Sequence, residues 1–461
     1  VSTHGAPKPA LSVVDAVLIT AGIVVGAGIF KTPASVAELA GSPEWMLLAW
    51  IAGGVLSLVG ALCYAELAST FPSAGGDYHF LRRAYGRDVS FLFAWARIAV
   101  ITSGSIALLA FVFGEYATRV VPLGPASEAV YAVAVVLLLT FVNLAGLRTS
   151  SRLQSALTLV ELGGLVLVIG VGLWLGLVVA GPSAGAAAAA SDAAGGAGPG
   201  GIPAMFGLVM VFVLLTYGGW NEAAYVSAEV RGGPRAIVRT LLYALLLITV
   251  VYVLAVYAMY AALGLAGLAG SDAPAADVLQ RAFGPAGGQL IGLVVAVAAL
   301  TSMNATMIVG ARTNFALGTD WPRLRRLGAW DEVKSLPRVG FLVQGFISLA
   351  LVGIGSFERD GFAAMVEFTA PIFWTFFLLT GIAVFVLRVR EPGVARPFRV
   401  PLYPLTPLVF CATCAYLLWS SVSYARSQNA TAVALWVMGA GLVAWAVLRF
   451  VSRGGATAST R

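Results

Sequence analysis

Apolar stretches follow one another along almost the whole chain, each long enough as a helix to cross about 30 Å of hydrocarbon. Twelve can be counted, at 12–40, 45–70, 88–118, 129–147, 153–180, 205–229, 236–263, 285–318, 338–356, 362–388, 402–424 and 430–450. Short polar or Gly/Pro-marked breaks separate them. A soluble domain carries about 25% charged residues; this chain has 11%, too few to give its surface a water-compatible coat. A bilayer is the solvent that fits, and runs of this length cross it as helices that satisfy their own peptide groups. The expected fold is therefore all-α and integral to the membrane, with twelve transmembrane helices.

The formal charge of +7 invites a nucleic-acid reading, but its distribution points elsewhere. Twelve spans put both termini on one side, and the loops of that side hold 22 of the Lys and Arg residues, among them Arg82, Arg83, Arg148, Arg325 and Arg388. The opposite loops hold 4: Arg119, Arg281, Arg359 and Arg426. Such a bias orients a membrane protein with its basic loops inward, so both termini are expected in the cytoplasm and no nucleic-acid partner is implied. Cys63, Cys411 and Cys414 show no metal-binding spacing, and His4 and His79 are the only histidines, so neither a metal nor another cofactor is expected. The first apolar run lacks the basic start and cleavage site of a signal peptide.

Residues 181–201, GPSAGAAAAASDAAGGAGPGG, form a low-complexity stretch that reads as a flexible outer connector. It falls between the fifth and sixth spans. Five is odd, so the second block of helices enters the membrane with the opposite polarity to the first, which is the geometry of an inverted repeat. The expected divisions are a tail at 1–11, a first repeat at 12–180, a linker at 181–204, a second repeat at 205–388, two C-terminal helices at 389–450 and a tail at 451–461.

The first helix of each block is interrupted by glycines: Gly26-Ala27-Gly28 in span 1 and Gly218-Gly219 in span 6, about 190 residues apart. Paired interruptions in corresponding positions point to a transporter site. A broken helix leaves carbonyls unpaired at the end of its first half and amides unpaired at the start of its second, and these ends carry the partial charges of the helix dipole. Carbonyls near Val24, Leu215 and Gly218 suit an ammonium group. Amides of Ala27, Gly28 and Ile29 suit a carboxylate. A zwitterion presents both charges on neighbouring atoms, and glycine lets it approach the backbone. No βαβ unit or third glycine supports a dinucleotide reading of the Gly26-x-Gly28 pair.

The segments GIVVGAGIFKTP (22–33), ALCYAELASTFPSAGGDYHFLRRAYG (61–86) and LTYGGWNEAAYVSAEV (215–230) resemble the amino acid–polyamine–organocation superfamily, and within it the bacterial homologues of the L-type amino acid transporters. The likeness continues through 303–322 and 386–405 and covers nearly the whole chain. It implies the 5+5 inverted-repeat fold with broken helices 1 and 6, and alternating-access movement of amino acids as an exchanger or a proton-coupled symporter. It also implies that Gly26, Ala27 and Gly28 form the carboxylate turn, that Val24, Leu215 and Gly218 offer the ammonium carbonyls, and that Ile101, Asn304, Phe373 and Trp374 set side-chain selectivity. A Trp at the place of Trp374 is more often a packing residue than a ligand contact. Leu215 stands where many relatives carry an aromatic gate, and Ala27 where many carry Ser. The 119–128 stretch lacks the cysteine that ties animal relatives to a companion glycoprotein, so a free-standing protein of a bacterial cytoplasmic membrane is expected.

Ionisable groups within spans are functional candidates by default. Glu161, in span 5, stands where many relatives carry Lys. Desolvation favours the neutral acid, which would let Glu161 carry a coupling proton; the competing readings are an ion pair with Arg97, at similar depth and of opposite charge, and a sodium ligand. Glu222, just past the span 6 break, is expected to pair with a neighbour or attract a cationic side chain. Glu66 and Asp77 are expected to brace or gate the inward mouth with nearby arginines. Enzymes of the membrane concentrate His, Asp or Cys, which this chain does not, and no GxxxxGK[ST] loop serves an ATP-driven pump. The expected activity is transport of a neutral L-amino acid. A cationic amino acid or polyamine transporter, and a nutrient receptor of the same fold, are the alternatives.

Overall fold

The computed structural model describes residues 11–26, 28–179, 202–271, 273–356, 361–427 and 438–449. Ala27, most of the 181–204 linker, the N-terminal tail up to residue 10 and the whole C-terminal tail lie outside them. Helices account for nearly all of this chain, and the only strand-like pairings among the described residues are two isolated bridges.

Local chemistry sets the helix starts. Ser12 and Asp15 form a reciprocal capping box that opens α1 (Val13–Val24), the Ser12 hydroxyl accepting from the Asp15 amide at 3.1 Å and the Asp15 carboxylate from the Ser12 amide at 3.0 Å. Ser42 caps α3 (Pro43–Thr70), and Pro43 takes the first position, where its missing N–H costs nothing. Between these two lies α2 (Gly28–Ala40), inclined 49° to α1. A short α4 (Asp77–Tyr85) precedes α5 (Arg87–Ala96), a π-type turn (Arg97–Ile101) and α6 (Thr102–Val120). Then come α7 (Ser127–Ala145), α8 (Leu147–Leu173) and α9 (Ile202–Thr216), followed by a 3-10 segment (Trp220–Glu229). The remaining helices are α10 (Gly233–Ala269), α11 (Pro274–Phe283), α12 (Pro285–Asp320), α13 (Arg338–Gly355), α14 (Gly361–Arg390), α15 (Leu405–Ser427) and α16 (Met438–Arg449).

Among the described residues nine helices are long and apolar enough to cross a membrane, and the bent pair α1–α2 makes a tenth. Their outer faces carry large exposed apolar side chains such as Leu138, Phe141, Phe346 and Trp419, a surface that suits lipid and would aggregate in water. Inside, α12 is the most enclosed helix, and α1 sits between α8, α10 and α12. Gly22 makes that approach possible. A side chain there would collide with Thr158 and Gln154 of α8 and Thr301 of α12, so the missing Cβ brings two of these helices onto α1.

Candidate functional site

Both glycine pairs fall where helices stop. At the end of α1 the Val25 amide still reaches back to the Ala21 carbonyl, at 2.7 Å, but the Gly26 amide turns onto Val24, at 2.9 Å. At the end of α9 the Gly218 amide turns onto the Leu215 carbonyl at 3.0 Å, and Gly219 adopts φ +106°, a left-handed conformation that only glycine takes freely. Any Cβ on Gly219 would also press on Ile23. The two breaks therefore touch.

Their carbonyl ends converge on one atom. Tyr252, fully buried on α10, donates its hydroxyl to the Val24 carbonyl at 2.7 Å, and the same hydroxyl lies 3.3 Å from the Thr216 carbonyl. Its ring is held edge-on to Trp50 (centroids 5.8 Å apart) and tilted against Tyr217 (5.1 Å). The carbonyl that meets Val24 is thus that of Thr216. Leu215, expected in that role, instead spends its carbonyl closing the turn to Gly218, and its side chain is 48% exposed, so it seals nothing in this conformation. The amide side is more open. Gly28 is exposed at the first turn of α2, whose leading N–H groups have no helical partner, and Ile29 behind it is buried. Ser302 of α12 packs against Gly26 and donates to the Gly22 carbonyl at 3.3 Å.

A narrow cavity lies beside the 3-10 segment, walled by Phe93, Arg97 and Ile101, by Asn221, by Phe373, Phe376, Phe377 and Thr380 of α14, and by Asp77. Ile101 and Phe373 are thereby brought together. Trp374 packs behind them, against Phe373 and Phe377 at 5.1 and 5.7 Å. Asn304 does not reach this cavity. It is fully buried in a closed network, its carbonyl accepting from Asn143 at 2.9 Å and its amide donating to Gln154 at 2.8 Å, so its polar atoms hold α7, α8 and α12 together and the selectivity role expected for it is corrected.

The charged groups sort differently from the expectation. Arg97 pairs with Glu222 and stacks over the Tyr225 ring at 4.2 Å; it does not pair with Glu161. Equal depth on two helices says nothing about which way the side chains face, and Arg97 sits in the π-type turn, which re-aims it. Glu161 is fully buried, and among the described residues neither carboxyl oxygen has a hydrogen-bond partner. Thr301 and Tyr252 are its polar neighbours, and the Thr301 hydroxyl already donates to Val297 at 2.8 Å. Glu66 accepts from Arg388 and from the Val400 amide at 2.7 Å, with Arg396 at 3.4 Å. Asp77 is a correction: it has Tyr225 at 3.0 Å, Thr380 at 3.3 Å and Asn221 at 3.5 Å as donors, and among the described residues no arginine bonds it. Burial pushes the Asp77 carboxyl up from its ordinary value, against the pull of Tyr64 and of the Arg97 charge. On the same side of the molecule Glu229 and Arg312, both buried, form a two-pronged pair at 2.7 and 2.9 Å, and the backbone of Leu11 bonds Glu229 and Arg231, at 2.8 Å each. This side is stapled shut.

Sequence reasoning passed over Tyr252, Thr216 and Asn221. Asn221 had a signal, as a polar residue directly after a break. Tyr252 had none: it is one of four tyrosines on α10, and its position along the helix does not set it apart.

An all-helical membrane chain whose two interrupted helices turn their bare peptide ends on each other defines a multi-pass transporter. A family model described as amino acid permease matches residues 11–446, and the chain belongs to that family. It is 25% identical over 422 residues to the serine/threonine exchanger SteT of Bacillus subtilis (strain 168), covering 90% of this chain and 91% of that protein. It is 30% identical over 421 residues to large neutral amino acids transporter small subunit 2 of Homo sapiens, covering 90% and 76%. It is 26% identical over 395 residues to the human b(0,+)-type amino acid transporter 1, covering 85% and 78%. These relatives are transporters and not enzymes.

Proposed function

We propose that this protein carries neutral L-amino acids across a bacterial cytoplasmic membrane by alternating access, with two inverted repeats of five spans, two further C-terminal spans and both termini inside. The observation that carries the reading is the convergence of the Val24 and Thr216 carbonyls within 3.3 Å of one hydroxyl. Two helix ends that close form a seat the size of an ammonium group, with negative partial charge from both dipoles. The exposed first turn of α2 offers the amides for the carboxylate. The adjoining cavity is walled largely by phenylalanines and Ile101, its Arg97 is paired with Glu222, and its Asp77 is taken up by Tyr225, Thr380 and Asn221, which leaves neither charge open to a charged substrate side chain. That two of the relatives are named for serine/threonine and for large neutral amino acids supports the same class.

Glu161 is the candidate coupling group. It can take up or lose a proton without breaking an ion pair, because it has none among the described residues. The protein works without a companion chain on this reading, as a single polypeptide. Uptake of labelled L-amino acids into liposomes, empty or preloaded, tests the whole proposal: saturable flux that neutral amino acids compete for is expected, and strongest competition by Arg or Lys would overturn the neutral assignment. Saturable binding without flux would favour a receptor.

A further inference from the structure

We infer that the Tyr252 hydroxyl stands in for the substrate's ammonium group in the empty carrier, and that the substrate binds by displacing it from the Val24 carbonyl. The inference rests on the reading of the breaks as an amino acid site.

A peptide carbonyl has two lone pairs. At Val24 both are taken, one by the Gly26 amide at 2.9 Å and the other by the Tyr252 hydroxyl at 2.7 Å. An incoming ammonium therefore finds no free acceptor there unless the hydroxyl leaves. Tyr252 has a place to send its single proton, since the Thr216 carbonyl is 3.3 Å away. The exchange is favourable: a hydroxyl gives one neutral donor, whereas an ammonium gives three and a full charge to two helix ends that carry negative partial charge.

The empty carrier gains from the same contact. Without the hydroxyl the Val24 carbonyl would keep only the Gly26 amide and the Thr216 carbonyl would lose the donor beside it, leaving two like-charged helix ends facing each other in a buried place. Tyr252 sets its single donor between them, on Val24 and within reach of Thr216, and ties the two helices in the register a bound substrate would impose. The rings of Trp50 and Tyr217 fix the hydroxyl in place. Tyr217 is the natural comparison, for its own hydroxyl donates to the Trp50 carbonyl at 3.1 Å, away from both breaks.

The test is the affinity of the purified full chain for labelled L-leucine and L-threonine. Tyr252→Phe removes the competing donor and is expected to bind the better of the two about five-fold more tightly, the worth of one ordinary hydrogen bond. Tyr217→Phe, which loses a hydroxyl from the same ring cluster, is expected to stay within about two-fold of the parent. In liposomes Tyr252→Phe should lower net uptake into empty vesicles relative to exchange with loaded ones. Unchanged or weaker binding by Tyr252→Phe, or the same gain in Tyr217→Phe, would overturn the inference while leaving the transport reading intact. Parent protein that binds none of the twenty amino acids would sink both. Should Tyr252→Phe fail to fold, fluorotyrosine placed at 252 supplies the readout. Its fluorine resonance should move with L-leucine and stay still with 4-methylpentanoate, which lacks the amine; equal responses to the two would also overturn it.

Discussion

Two glutamates show how differently this fold treats a carboxylate. Glu222, half-buried, faces Arg97, whose guanidinium stacks on Tyr225 beside Asp77. Glu161 sits on α8 behind the α1 break with neither oxygen bonded among the described residues. A paired group fixes geometry, because removing either member strands the other. A solitary one is costly as an ion and therefore suits a step in which its charge comes and goes. On this division we propose the Arg97 cluster as scaffold for the cavity wall and Glu161 as the group whose state changes during transport.

The sharpest way to break the comparison is Arg97→Ala. It leaves Glu222 uncompensated and is expected to cost about 3 kcal/mol of stability, read as a fall in melting temperature. Arg97→Ala combined with Glu222→Ala should recover much of that loss; a double variant no better than the single would mean the pair is not what holds the wall. Next in size is Asn304→Ala, which opens the closed network of α7, α8 and α12 and is expected to cost about 2 kcal/mol. The order in which amino acids compete for uptake should not change. A reordered panel would return Asn304 to the cavity.

Asp77 gives a smaller and pH-dependent effect. Its carboxyl is pushed up by burial from the ordinary value of 3.8, so the protonated form is favoured in the folded protein. Its stabilising contribution is complete below that ordinary value and is lost as pH rises through the higher folded one. The parent should therefore lose stability from acid toward neutral pH more steeply than Asp77→Asn, by a margin under about 1 kcal/mol. Parallel pH dependences for the two would show that folding does not shift the Asp77 carboxyl.

What the sequence disclosed follows from the kind of signal each feature leaves. The breaks were legible because glycine at Gly26 and Gly218-Gly219 is a backbone statement, and backbone conformation is local; φ +106° at Gly219 is the structural counterpart. The presence of charges inside the spans was legible too, but not their partners. Residue spacing gives depth along a helix and says little about azimuth once a π-type turn intervenes, which is why Arg97 was matched with Glu161 when it faces Glu222. Asn304 lies on α12, a helix buried on most of its circumference, where periodicity cannot separate the face toward a cavity from the face toward other helices. Tyr252 lies 36 residues from Thr216 and 228 from Val24, so its contact with both exists only in three dimensions.

Glu161→Gln should change stability least of all and function most selectively. Gln keeps the shape and the neutral state, and no ion pair is lost, because Arg97 belongs to Glu222. A change in stability within about 1 kcal/mol is expected, as for an isosteric swap that strands no charge. If Glu161 carries the coupling proton, uptake driven by an inward proton gradient should disappear in this variant while exchange between loaded and labelled pools continues. Persisting gradient dependence would move proton coupling elsewhere. A large loss of stability would show that Glu161 has a counter-charge after all, which would erase the distinction between the two glutamates.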